Sequence, residues 1–329
     1  MRAAYITEPG PPEAIRVGDL PVSAAGHADV LVKVDVVAVN QVDTHIRAGR
    51  YPTPMPRPFI VGRDLVGTVA AASRESGFAP GQPVWCNSLG HSGRQGSFSE
   101  YAAVPVERLY PLPEAAERVS AVAAFHPAAT AFIALHHRVH VRAGDTMVIG
   151  GAAGSIGSCA VRFAAEAGLR VIATARPRDH DRCRQLGADV VLDFADPALT
   201  EHVLDAAPEG VDIYWDISGH AQLGSIPPVM ATGGRILVTA GREPQPATPW
   251  WAFYTRDLTV TGFVISLATA TELADAARAI NRRLAGPGFA AQIAEVIPLA
   301  ETARAHALVE SGKARGRVVV AVGTRHPMA

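Results

Sequence analysis

Three cysteines in 329 residues, Cys86, Cys159 and Cys183, are too few and too widely spaced for a disulfide framework or a four-thiolate metal site. They read as reduced thiols. Long runs of like charge are absent and the formal net charge is -1, so neither nucleic acid nor an anionic membrane is an electrostatic partner. A small molecule is the expected partner. No unbroken apolar stretch reaches the roughly 18 residues of a membrane span. The opening residues, Met1 to Gly10, lack the charged, apolar and small-residue order of a secretory signal. These absences predict a soluble, cytoplasmic protein.

What is present is a turn-rich globular composition, with 48% hydrophobic and 19% charged residues, 30 glycines and 25 prolines. A single core rarely grows past ~250 to 300 residues, so two domains are expected. Up to about residue 118 the chain offers short β-branched runs between Gly/Pro turns, such as Val30–Val39 and Asp64–Ala70, which suggest a strand-dense, barrel-like lobe. Lys33 and Asp35 alternate with valines and predict one wet face. The pattern then changes to an alanine-rich helix, Ser120 to His137, followed by recurring strand and helix units that predict a doubly wound parallel sheet. Beyond Ser266, two helical stretches and a closing strand, Arg317–Val322, are expected to return to the first lobe.

Glycines at 151, 154 and 157 follow the strand Thr146–Ile149 and open a helix expected from Ser158. They permit a tight turn, close backbone approach to a pyrophosphate and close helix-to-strand packing, with helix N-terminal amides as the anion site. Gly151, Ala153, Gly154, Ser155, Ile156 and Gly157 form the expected cradle of a dinucleotide. A β-α turn that merely needs glycine satisfies the same pattern. At the end of the next strand, NAD sites usually carry an acid for the ribose hydroxyls. Here Thr174 is followed by Arg176 and Arg178, which suit a 2′-phosphate and hence NADPH, unless they only decorate a solvated helix start.

The stretch Asn40–Gly49 resembles the asparagine-x-valine-aspartate-threonine-tyrosine-isoleucine-arginine-x-glycine signature of zeta-crystallin-like quinone oxidoreductases, zinc-free members of the medium-chain dehydrogenase/reductase superfamily. The glycine loop, a helix start marked by Pro127, Thr130 and Ala131, the segment Asp257–Gly262 and the ending Gly312–Val319 fall in the same order over nearly the whole chain. The resemblance implies an α/β fold, with a GroES-like β-rich catalytic domain at residues 1–120 and 266–329 and a Rossmann cofactor domain at 121–265. It places Asn40 and Thr130 beside the nicotinamide, with Ala240, Gly241 and the backbone of Phe263 on its other side, and counts Ser218 and Val264 among the cofactor-binding residues. Phe194 stands for an aromatic near the adenine and Arg317 for a basic residue at the cofactor's rim, though core packing and a solvated strand start account for them equally.

His45 departs from the family's tyrosine, and imidazole could hold a carbonyl or pass a proton. A loop histidine lining a wet cleft is the plainer reading. Tyr51 is expected to help stack the acceptor, which completes a catalytic set of Asn40, His45, Tyr51 and Thr130. In zinc-dependent relatives the ligand positions match Asn40, Arg63 and His126 here, and an amide with a guanidinium cannot replace thiolate and imidazole. Cys86 alone stands where a four-cysteine lobe would follow, and His91, Arg94 and Gln95 read as a solvated polar loop.

Without a Lewis acid, an electron-poor acceptor is expected: a quinone or, alternatively, an enone or enoyl substrate. An NADPH-binding structural or RNA-contacting role is the reading of another class. Family likeness also implies a homodimer through the edge strand Leu258–Val264, and leaves the segment Trp250–Phe253 to cleft, interface or core.

Overall fold

Alternation builds the N-terminal part. On the strand Asp29–Ala38, Val30, Val32, Val34 and Val36 are buried and Lys33 is exposed, as a two-residue period requires of a sheet with one wet face. In the computed structural model, which describes residues 1–241, 248–285 and 291–323, this strand pairs antiparallel with Leu65–Ala71, Tyr101–Pro105 and Arg317–Ala321. The last of these runs parallel to Ile293–Pro298, so the C-terminal segment does return to the first sheet. The crossing with Leu65–Ala71 depends on Gly67, where a Cβ would stand 2.3 Å from the Lys33 carbonyl oxygen.

The chain divides into two compact units, Met1–His126 with Thr269–Ala329, and Pro127–Ala268. The second holds a six-stranded parallel sheet in the spatial order Val190–Asp193, Arg170–Ala175, Thr146–Gly150, Val211–Asp216, Met230–Val238 and Thr259–Gly262. Sequence order along it is 3-2-1-4-5-6, the doubly wound arrangement, and the direction of winding reverses between Thr146–Gly150 and Val211–Asp216. The core of this unit includes Val148, Ile172, Ile236 and Phe253.

Three expectations are corrected. The alanine-rich helix runs Arg118–Ile133 and then widens into a π turn, Ala134–Arg138. Pro127 lies inside it rather than at its start, because Ala121, Ala123 and Ala124 have enough helix propensity to carry the backbone through one missing N–H. The stretch Arg118–Arg138 has the length and apolarity of a membrane span, but 83% of its most apolar window is buried, as in a core helix. The helix after the glycine loop starts at Ser155, not Ser158. In the segment Trp250–Tyr254 only Phe253 enters the core, and Trp250 and Trp251 are each 65% exposed.

Candidate functional site

Two groups of side chains carry chemistry, one in each unit. In Pro127–Ala268, the strand Thr146–Gly150 ends in a turn at Gly151, whose φ of 70° suits glycine. Gly154 then caps the helix Ser155–Glu166 with no side chain covering its end. A Cβ at Gly157 would stand 2.2 Å from the Gly151 carbonyl oxygen, so the helix can close on the loop only with glycine there. The earlier start makes the amides of Ser155, Ile156 and Gly157 the first-turn donors, which lack helical acceptors and are aimed at an anion.

Other predicted residues gather at the carboxyl ends of the parallel strands. Thr174 is buried, and its carbonyl accepts the Ala152 N–H at 3.1 Å, pinning the loop to the second strand. Ser218 packs against Gly151 and is itself held by Asp216, with its hydroxyl donating at 2.6 Å. Ala240 and Gly241 follow the fifth strand, and Phe263 donates its N–H to Val238 at 3.0 Å just before Val264 begins a short turn. Arg138 places its guanidinium 4.8 Å above the Phe263 ring, a contact that no local pattern announces. Phe194 is half-exposed beyond the third strand, as an aromatic available for stacking must be. Arg176 is exposed, and Arg178 has a 3.7 Å surface contact with Asp179. Half-buried Ala153 lies in the loop itself. Thr130 is buried within the helix Arg118–Ile133.

In the other unit, Asn40 caps the helix Gln41–Arg47 and its N–H donates to the Asp43 carboxylate at 2.8 Å. Its side-chain Nδ2 donates to Asp64 at 2.9 Å, while Arg317 donates to its Oδ1. Arg317 therefore holds the Asn40 amide, a contact beyond the place at the cofactor's rim that the resemblance implies. Asn40, Asp43, Asp64, Arg63 and His126 are all buried. Burial, reinforced by the charge of Asp43, pushes Asp64 up to about 8. Burial pushes Asp43 up to about 6 against the pull of Arg63. His126 is held well below the usual histidine range by burial, then by Arg63 and Arg317, so its imidazole is neutral. Sequence reading passed over both carboxylates. Asp43 was visible as the third residue after a capping asparagine, but nothing local marks Asp64.

This donor set does not fit zinc. Asn40 offers a neutral amide where a thiolate would be needed, Arg63 has no lone pair to offer, and His126 lies under the influence of two guanidinium charges. Among the described residues no three His, Cys, Asp or Glu side chains cluster as metal ligands.

His45 sits half-buried on the helix rather than on a loop, and its carbonyl accepts the Arg50 and Tyr51 N–H groups at 2.8 and 3.2 Å. Tyr51 stacks on His91 with ring centroids 5.8 Å apart and planes 14° from parallel. His91 is buried, contacts Ser92 Oγ through Nδ1 at 2.7 Å, and is brought down to about 4 by burial and then by Arg63, Arg94 and Arg108. Gln95 bridges the Ile60 N–H at 2.7 Å and the Pro58 carbonyl at 2.9 Å. The loop read as solvated is therefore internal framework, because Gly90 and Gly96 bring it against the backbone at Gly62, Ile60 and Val61.

Residues 26–114 match the alcohol dehydrogenase GroES-like domain family, and residues 155–282 match the zinc-binding dehydrogenase family. The chain is 28% identical to a quinone oxidoreductase of Lama guanicoe over 325 residues, 97% of each protein. It is 33% identical over 220 residues to the trans-enoyl reductase tazE of Aspergillus terreus, covering 62% of this chain and 72% of that one. Among solved structures, an NAD-dependent alcohol dehydrogenase superposes with TM-score 0.88 at 28% identity, over 98% of this chain and 100% of the other. A mycobacterial protein complexed with NADPH superposes with TM-score 0.84 at 25% identity, over 98% and 100%.

Proposed function

We propose that this chain, which belongs to the medium-chain dehydrogenase/reductase superfamily and is a pyridine-nucleotide-dependent oxidoreductase, uses NADPH to reduce quinones without a metal. The observation that carries the reading is the replacement of a ligand set by the hydrogen-bonded group Asn40, Asp64 and Arg317. Such a group orients and donates hydrogen bonds but does not polarise a carbonyl as a Lewis acid does, which favours an acceptor already electron-poor. Likeness to a quinone oxidoreductase along the whole chain supports the same substrate class.

The residues divide the work. Gly151, Gly154 and the first-turn amides of Ser155 to Gly157 hold the pyrophosphate at the switch point, and Phe194 stacks on the adenine. Arg176 and Arg178 take the 2′-phosphate, where no acid waits for a ribose hydroxyl. Thr130, Ala240, Gly241, Phe263 and Val264 frame the ring that supplies the hydride when the cofactor is bound. Asn40 presents its amide to the acceptor, Tyr51 offers a face for stacking, and His45 or solvent brings the proton.

Anaerobic mixing with 1,4-benzoquinone is expected to oxidise NADPH faster than NADH. No oxidation with any quinone would overturn the reading. The partial likeness to a trans-enoyl reductase favours enoyl reduction as the second reading, and faster turnover of crotonyl thioesters than of quinones would decide for it. We further propose a homodimer joined along the exposed edge of Thr259–Gly262, which light scattering at the mass of two chains would support.

A further inference from the structure

An asparagine side chain has two orientations, related by a half-turn, that differ little in shape and exchange its donor for its acceptor. At Asn40 the surroundings choose one. Asp64 takes the hydrogen of Nδ2 and Arg317 donates to Oδ1, from opposite sides of the amide. Asp64 is fully buried, and among the described residues its other oxygen, Oδ1, has no hydrogen-bond partner. A carboxyl group taken out of water carries a desolvation cost, so its place behind the Asn40 amide calls for an explanation.

We propose that Asp64 is a positioning residue that fixes the Asn40 amide, so that the atoms turned toward the reacting partner are set by the carboxyl behind it. The inference rests on the reading that Asn40 addresses the acceptor. A carboxylate accepts only from the amide's NH2 and holds one orientation. A protonated carboxyl can also donate, and then Arg317 alone selects. The charged and titratable groups facing Asp64 are Asp43 on the helix Gln41–Arg47, the neighbouring Arg63, Arg317 on the last strand, and Cys86 on the strand Pro83–Cys86. His126, which feels the same Arg63 and Arg317, completes the surroundings. Since burial holds Asp64 protonated to about 8, the orientation tightens as pH passes through that value.

The test is a double-mutant cycle between Asp64→Asn and Asn40→Ala, read as the pH profile of kcat/KM for NADPH oxidation. Asp64→Asn keeps the shape but does not ionise. It is expected to lower kcat/KM about tenfold, the scale of one buried hydrogen bond, and to abolish the limb near pH 8. In the Asn40→Ala background the same substitution is expected to change nothing. An unaltered pH profile in Asp64→Asn, or an equal loss with and without Asn40, would overturn the proposal. The side-chain amide signals of Asn40 in 1H–15N spectra give a readout free of turnover. In the unmodified protein they are expected to shift between pH 7 and 9, and in Asp64→Asn to stay still. If no acceptor oxidises NADPH, the functional reading fails, and these signals decide the positioning by themselves: no shift in the unmodified protein refutes it. If Asp64→Asn does not fold, seen as the loss of a cooperative melting transition, Asn40→Asp replaces it. Its carboxyl facing Asp64 is expected to move the limb, and an unmoved limb counts against the proposal.

Discussion

Replacing Asp64 by asparagine should make the protein more stable, increasingly so as pH rises. In the unfolded chain this carboxyl titrates at 3.8, and in the folded protein burial and the charge of Asp43 move it to about 8. Between those values the folded state holds a proton that the unfolded state has released, so stability falls with rising pH by about 1.36 kcal/mol per pH unit. Below pH 3.8 the group costs nothing, and above about 8 the cost is at its full value. At pH 7 the interval from 3.8 corresponds to at most about 4 kcal/mol. Asparagine keeps an acceptor for the Asn40 Nδ2 and never ionises, so it removes most of this slope. With ~2 to 4 °C per kcal/mol for units of this size, the variant's melting temperature should exceed the parent's by several degrees at pH 7 and match it at pH 4. Differential scanning fluorimetry of both proteins from pH 4 to 9 measures this. Parallel curves across that range would refute the reasoning, because they would mean that Asp64 titrates alike in folded and unfolded chains.

Gly157→Ala puts a Cβ 2.2 Å from the Gly151 oxygen, so the helix must retreat from the loop. NADPH affinity should fall at least tenfold in a fluorescence titration, with thermal stability lowered as well. Arg176→Ala together with Arg178→Ala should weaken NADPH by roughly tenfold or more and leave NADH nearly unchanged, and equal losses for both would remove the 2′-phosphate assignment. Glu310→Ala strips the partner, 2.7 Å away, from fully buried Arg47, and about 3 kcal/mol should be lost in urea unfolding. An unchanged urea midpoint would mean that water reaches that guanidinium. His91, held near 4, should contribute no limb to activity between pH 6 and 8, and an imidazole signal titrating there in NMR would contradict its burial.

Glycine spacing, β-branched alternation and the missing acid after Thr174 were legible because each is a local constraint. A turn with φ near 70°, a two-residue period and an absent carboxylate can be read without knowing what lies across the fold. They revealed the doubly wound sheet, the glycine turn and helix start at residues 151–157, and the unfitness of Asn40 and Arg63 as zinc ligands. Local rules also misplaced what neighbours decide. Pro127 looks like a helix start until the alanines before it continue the helix, and His91 looks like a polar loop residue until Tyr51 stacks on it.

The polar group around Asn40 belongs wholly to tertiary structure. Its members are drawn from a helix cap, a turn before the strand Leu65–Ala71, and the last strand, with Arg317 separated from Asn40 by 277 residues. No sequence period connects such positions, since the energy of a buried charge depends on which partners arrive beside it rather than on its chain neighbours. By itself the sequence determined the two kinds of sheet, the strand, glycine turn and helix at residues 146–166, and the oxidoreductase class. Only the packed sheet, by removing Asp64 from water and bringing it and Arg317 to the Asn40 amide, decided which carboxyl stays neutral near pH 7 and which groups the amide meets.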